Sequence, residues 1–329
     1  MLKETKNILM ISIISIIKRI LKETKNILMI SIISIIKRIL FLIHTHLKSD
    51  IIHIASSVLK KQFYQVNVNK IKSTLQSEKI VFFDVGARDG INENLVKYVD
   101  VLDVYVSDAD PSESDNISNN KSFHVINKGI GQKSKDGLDL YLCKKRGVSS
   151  ILKPSGKFLD FYTKAKGNSS KFKVSKKLKI NITSISDIFK HRESLDLLKI
   201  DVQGYELEVI KGFGKVRPLL IETEISFVPL YEDSAIFFDL GKKMYDMGYV
   251  LFHLVYSNRS INNRHINHIP VHGDAWFIPD WTRKKGIDII KGRERKWEAL
   301  MLIYGMEGIF DYATSEIKKA SEIYSVTTE

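Results

Sequence analysis

From Ile80 onward the chain alternates short apolar runs with stretches of helical period, and the runs have the length and the Val, Ile and Phe content of strands. Strands are predicted at 79–85 (KIVFFDV), 103–107, 123–127, 195–201 (LDLLKID), 218–224 (PLLIETE), 249–255 (YVLFHLV) and 274–279 (DAWFIP). Helices are predicted near 91–99, 184–190, 204–211 and 235–247. Strands that alternate with crossover helices form βαβ units, hence an α/β fold with a doubly wound, mostly parallel sheet. Ligands then bind beyond the carboxyl ends of its strands. Residues 150–180, which contain KAKGNSSKFKVSKK, have weak periodicity and read as a surface loop or insert. After Trp281 a helical pattern returns (GIDIIKGRERKWEALMLIYG) and reads as an appendage packed on the sheet. The implied organisation is a helical leader over 1–61, a body over 62–281 and a C-terminal helical appendage over 282–329.

The leader has a pattern of its own. Residues 2–20 (LKETKNILMISIISIIKRI) recur without a change as residues 21–39, and such identity points to a recent duplication, not to a structural repeat, whose copies diverge. Each apolar run, Ile8–Ile17 and Ile27–Ile36, is shorter than the ~20 residues that a membrane-spanning helix needs. On a helix, Ser12, Ser15, Arg19 and Lys22 fall on one stripe among apolar neighbours, as in helices that lie on a membrane surface. Three readings stay open: a solvated helical extension, peripheral membrane contact through residues 8–47, and a secretory signal that lacks a small-residue cleavage site. The expected location is cytoplasmic, at the membrane surface if the leader anchors the chain.

The formal net charge of +13 on 329 residues changes meaning once it is located. Residues 1–40 carry +6, residues 41–61 carry +2, and the stretch 153–179 sets nine lysines against Asp160. The rest of the chain is slightly acidic, so charge gives no reason to expect nucleic acid as a partner. The lysine-rich stretch reads as a solvated loop or as a device that steers an anionic acceptor. Cys143 is the one cysteine and can form no internal disulfide.

Three motifs carry chemistry. The first strand runs into FFDVGARDG, with Asp84, Gly86, Ala87, Arg88 and Gly90, and glycines there permit a sharp turn and close approach of a ligand. The helix that follows is expected to offer unsatisfied N–H groups. Its G-x-x-x-G spacing is not the G-x-G-x-x-G of dinucleotide enzymes, and the preceding Asp84 suits a cationic amino group such as that of S-adenosylmethionine. The second strand ends VYVSDADPS, where Asp108 can accept hydrogen bonds from both ribose hydroxyls. The strand at 195–201 ends at Asp201, then turns through Gly204 into a helix that begins with Glu206. Asp201 lies over the reaction centre on one reading and caps the helix on another, with Glu206 favouring the helix dipole.

Seven motifs in order, FFDVGARDG, SDADPS, GVSSILKPS, LLKIDVQGYELEVIKG, IETEISFVPLYE, a helix ending in Met247-Gly248-Tyr249, and GDAWF, give the chain from about Ile80 to Pro279 a specific likeness. It resembles the FkbM family of S-adenosylmethionine-dependent methyltransferases. The family's turn usually reads G-A-N-x-G, and Arg88 stands where the Asn would be. Its second strand usually ends Phe-Glu-Pro, where this chain has Ser107-Asp108-Ala109. An arginine beside a sulfonium needs a counter-charge, for which Asp89 and Asp110 are the candidates.

The resemblance implies a Rossmann-like class I methyltransferase sheet of seven strands and S-adenosylmethionine bound through Asp84, Gly86, Ala87, Gly90 and Asp108. It also implies O-methylation of a hydroxyl on a sugar, glycan or glycolipid precursor. Asp201 is the first choice for the group nearest the methyl, with Glu206 and Glu224 as competitors and His272 as the histidine to test. His265, His268 and His272 make an H-x2-H-x3-H spacing, but Pro270 and the loop setting break it, and no metal is expected. An NAD-dependent oxidoreductase would share the sheet and the strand-two acid, but not the glycine spacing. A nucleic-acid methyltransferase would want a Pro-Pro-aromatic turn where KIDVQG stands. A non-catalytic membrane-tethered binding protein rests on the leader alone.

Overall fold

A computed structural model of the chain describes residues 68–88, 90–113, 123–160, 169–191, 194–259 and 269–326. The duplicated leader, Asp89, His265 and His268 lie outside them. Residues Ile71–Glu329 form one compact unit. Its strands among the described residues are β1 (Ile80–Val85), β2 (Leu102–Ser107), β3 (His124–Ile126), β4 (Gly129–Ile130), β5 (Lys135–Cys143), β6 (Val174–Thr183), β7 (Leu197–Ile200), β8 (Leu220–Ser226), β9 (Tyr249–Arg259) and β10 (Ile269–Pro279).

The seven strands expected from the apolar runs form one sheet, in the order β3-β2-β1-β7-β8-β10-β9. From β3 to β8 all pairs are parallel, and β10 inserts antiparallel between β8 and β9. The chain runs outward from β1 through β2 to β3 and resumes at β7 on the other side of β1. The switch in strand order therefore falls between β1 and β7, where this class of sheet opens its binding crevice. β1 and β2 are buried almost throughout, which explains their near-continuous apolar sequences.

Register sorts the polar exceptions. Asp84 of β1 lies opposite Lys199 of β7, Lys199 opposite Glu222 of β8, and Glu222 opposite Trp276 of β10, so these side chains share one face. The other face carries Phe83, whose ring lies 5.8 Å from that of Phe189. Towards the C-terminus lie helices Lys284–Ile290, Glu294–Ile303 and Glu307–Val326, with Trp297 fully buried and the Tyr304 hydroxyl donating to Glu222 at 3.2 Å. Asp196, fully buried just before β7, is matched by Lys296 at 2.8 Å and Arg293 at 3.5 Å and also accepts the Val81 N–H at 2.9 Å. Among the described residues no helix is long and apolar enough to cross a membrane.

The end of the stretch 150–180, read as a loop or insert from its composition, is a strand. Val174–Thr183 is β6, the centre of a second sheet in the order β4-β6-β5. Leu178, Ile180 and Ile182 turn inward onto Leu140 and Leu142 of β5. On the other face Lys177 and Lys179 meet Asp139 at 3.8 and 2.9 Å. Two adjacent lysines interrupt the period-two alternation at 176 and 177, which hides the strand from a pattern search.

Candidate active site

At the switch point the carboxyl ends of β1, β2 and β7 border an open cleft of about 850 Å³, lined among others by Gly86, Arg88, Asp108, Arg146, Lys199 and Asp201. A larger groove opens at the amino ends of the strands, around Lys190, Arg217 and Arg293, on the edge that this fold does not use for ligands.

Gly86 has φ +88°, and a Cβ there would stand 1.9 Å from the Asp201 carbonyl oxygen. The glycine is thus required by the close approach of β1 to β7 as well as by its turn. The turn's N–H groups are not free. Gly86 and Ala87 both donate to the Ser107 carbonyl, at 2.8 and 3.0 Å, Arg88 donates to Gly86 and Gly90 to Ala87. The helix that follows is one turn, Glu93–Val96, capped by Asn92. The N–H groups of Asn94, Leu95 and Val96 in that helix all go to Asn92, so the unsatisfied N–H groups expected of the helix are not found at these three, and Ala87 and Gly90 do not line the cleft.

Asp84 is placed differently from the sequence reading. It is fully buried and does not line the cleft; its Oδ1 accepts from the Lys199 ammonium at 3.0 Å, while Oδ2 is buried without a hydrogen-bond partner. Burial raises the pKa of its carboxyl against the pull of Lys199. The charge that reaches the cleft at this point is that of Lys199. Burial draws this ammonium down, but Asp84 and Asp201 lift it to a net position above its ordinary range.

Asp108 stands at the exit of β2, where its Oδ1 accepts the Asp110 N–H at 2.7 Å, and burial raises its pKa to about 6. It lines the cleft, where an acid can reach a ribose. Arg88 is held by Glu113 at 2.9 Å and faces Asp110 at 3.8 Å, which supplies the counter-charge it needs. Arg146 faces the same Asp110 at 3.8 Å.

On the β7 side, Asp201 lines the cleft and Gln203 organises what lies behind it. The Gln203 amide donates to Asp201 Oδ1 at 2.8 Å and to Glu224 Oε2 at 2.5 Å, and its oxygen accepts from the Tyr231 hydroxyl at 3.1 Å. Gln203 has φ +58°, a conformation that a non-glycine residue holds only when its surroundings fix it. Behind Glu224, His272 Nδ1 lies at 3.8 Å. Glu206 is turned inward, where it accepts the N–H groups of Val202 at 3.2 Å and Gly204 at 3.0 Å, and so ties the turn that presents Asp201. The helix it begins is capped by neither carboxylate. Burial raises Glu206 to about 7, and burial with repulsion from Asp201 and Glu206 holds Glu224 well above the usual carboxylate range. Glu206, Glu224 and His272 do not line the cleft. Among the described residues no group of His, Cys, Asp and Glu has the arrangement of a metal site.

The cleft thus offers an acid for hydroxyls at one end and, at the other, an ammonium for an anionic group with the Asp201 carboxylate beside it. These residues fit S-adenosylmethionine. The sequence reading missed Lys199, Gln203, Tyr231 and Arg146. Gln203 left a faint trace, as the residue before Gly204 in the turn after β7; the others need the register or the second sheet to be seen.

No curated protein matches the chain. Among solved structures it is similar to magnesium protoporphyrin IX methyltransferase from Synechocystis with bound S-adenosylmethionine (8% identity, 70% of this chain and 85% of that one, TM-score 0.33). A TehB-like S-adenosylmethionine-dependent methyltransferase from Corynebacterium glutamicum is 9% identical over 69% of this chain and 98% of its own, with TM-score 0.33. The 1,6-didemethyltoxoflavin-N1-methyltransferase of Burkholderia thailandensis is 8% identical over 69% and 83%, with TM-score 0.30. At these scores the likenesses add nothing to what the strand order already establishes. The family model described as the methyltransferase FkbM domain matches residues 84–251, from the buried acid of β1 into β9. With half of its length inside that model, the chain belongs to the FkbM methyltransferases, enzymes whose cofactor is S-adenosylmethionine.

Proposed function

We propose that this methyltransferase acts on a hydroxyl of a sugar, glycan or glycolipid precursor. The observation that carries the reading is Asp201, a carboxylate that lines the cleft at the carboxyl end of β7 and is held in place by the Gln203 amide. The cofactor supplies an activated methyl group, so positioning provides most of the rate. A hydroxyl must also lose its proton as the C–O bond forms and the C–S bond breaks. Asp201 takes that proton. Gln203 holds the carboxylate by one amide hydrogen bond, and Glu224, raised above its usual range, shares the same amide.

An anionic acceptor suits the rim. Backbone bonds from Lys144 to Lys173 (2.9 Å) and from Lys145 to Lys171 (3.1 Å) draw two basic stretches together, and Arg146 beside them lines the cleft. Lys177, Lys179 and Lys153 are matched by acids, so steering falls to this smaller group. Contact of the leader with a membrane surface belongs to the same reading, since it would bring the enzyme to a lipid-linked acceptor.

Incubation with methyl-labelled S-adenosylmethionine and fractionated glycans, lipids and RNA tests the reading. Label is expected in a glycan or glycolipid fraction and to be lost with Asp201→Asn; label in RNA, or label that survives the substitution, overturns it. Turnover of an anionic acceptor is expected to fall about tenfold as ionic strength rises from low to several times the physiological value. A flat response removes the steering.

A further inference from the structure

The amino-acid end of S-adenosylmethionine bears a carboxylate as well as an ammonium, and a carboxylate taken into a cleft needs charged or N–H donors. The glycine turn supplies none at Gly86, Ala87, Arg88 or Gly90, all of whose N–H groups are engaged within the protein. Among the described residues that line the cleft the cations are Arg88, Arg146 and Lys199. Arg88 is bound to Glu113, and both arginines face Asp110 on the β2 side. Lys199 stands on β7, across β1 from Asp108. A ligand whose ribose reaches Asp108 has its amino-acid end on the far side of β1, beside Lys199.

We propose that Lys199 binds the α-carboxylate of the cofactor, and that Asp84 is its positioning residue and not a ligand of the cofactor's amino group. The proposal rests on S-adenosylmethionine as the cofactor. Asp84 is fully buried and has no surface to offer a ligand, but its Oδ1 fixes the Lys199 ammonium at 3.0 Å. One of the three N–H donors of Lys199 is directed at Asp84, which leaves two for a ligand. Register makes the placement firm: Asp84 and Lys199 are direct partners across β1 and β7, on the face that also carries Glu222. Asp201, the other charge that lines the cleft on this side, lies two residues further on and is left to the acceptor.

Calorimetric titration of the full chain with two ligands that differ only in the carboxylate tests this: S-adenosylhomocysteine and its decarboxylated counterpart, S-adenosyl-3-thiopropylamine. Lys199→Met is expected to weaken S-adenosylhomocysteine by about tenfold to a hundredfold, the loss of one charge-assisted hydrogen bond. The decarboxylated ligand should change by no more than about twofold. Because Lys199→Met leaves Asp84 buried and unpaired, the double variant Lys199→Met/Asp84→Asn is measured beside it and should show the same selective loss. Lys199→Arg should restore most of the affinity. Equal losses for both ligands would make Lys199 a structural residue only, and no loss for either would leave the carboxylate to other donors; each overturns the proposal while the cofactor assignment stands. Failure of the unmodified chain to bind either ligand would overturn both.

Discussion

The amino and carboxyl edges of the central sheet treat buried acids in opposite ways. At the amino edge Asp196 receives two cations and a backbone N–H, and the C-terminal helices that bring Arg293 and Lys296 are fastened to the sheet by it. At the carboxyl edge Asp201, Glu206, Glu224 and Asp274 crowd one another, and burial with mutual repulsion raises the last three above their ordinary range. One edge uses charge to hold the fold together, and of the four acids at the other only Asp201 lines the cleft, where the proposed reaction has it take a proton. The difference locates the site without any bound molecule.

The sharpest way to break the contrast is at the amino edge. Arg293→Met removes the more distant of the two cations that face a fully buried carboxylate, leaving Lys296 at 2.8 Å, together with bonds to the carbonyls of Leu195, Arg217 and Ile289. Urea denaturation should register a loss of about 3–5 kcal/mol. At the carboxyl edge Asp201→Asn keeps the shape and removes the charge; single-turnover methyl transfer should fall at least about a hundredfold, while the denaturation midpoint barely moves. An equal loss of stability at both edges would end the distinction.

Glu206 gives a smaller, pH-dependent signal. Its carboxyl is raised from 4.5 to about 7, chiefly by burial, so folding favours the protonated form. That contribution is complete below the unfolded value and is lost as pH rises through the folded one. The melting temperature of the unaltered chain should therefore fall between pH 5 and pH 8 by about 5 °C more than that of Glu206→Gln, whose amide oxygen can still accept the two N–H groups. Smallest of all, Lys179→Ala on the outer face of β6 should change stability by less than about 0.5 kcal/mol, since its pair with Asp139 is exposed.

The same comparison explains what could be read from the sequence. Strands buried on both faces, such as β1 and β2, announce themselves as apolar runs; the edge strands β3 and β9 are partly exposed and are legible from their β-branched and aromatic residues instead. Strand β6 is exposed on one face and edged with lysines, so its alternation dissolved into a charge pattern. The acids Asp84, Asp108 and Asp201 stood out because each ends a strand. The partner of Asp84 did not, because Lys199 is 115 residues away and only cross-strand register joins them. Gln203 lies inside the motif LLKIDVQGYELEVIKG but has no charge to mark it, and its left-handed backbone is a property of the turn, not of the residue type.

Gly86 fixes more than a turn. With the Asp201 carbonyl 1.9 Å from where a Cβ would be, the separation of β1 and β7 at the mouth of the cleft is set by the absence of one carbon. Variation at position 86 is thus closed to natural divergence and to engineering alike. Any reshaping of the pocket, toward a bulkier cofactor analogue for instance, has to be made from the β2 side, at Asp108 and Arg88, or from Gln203.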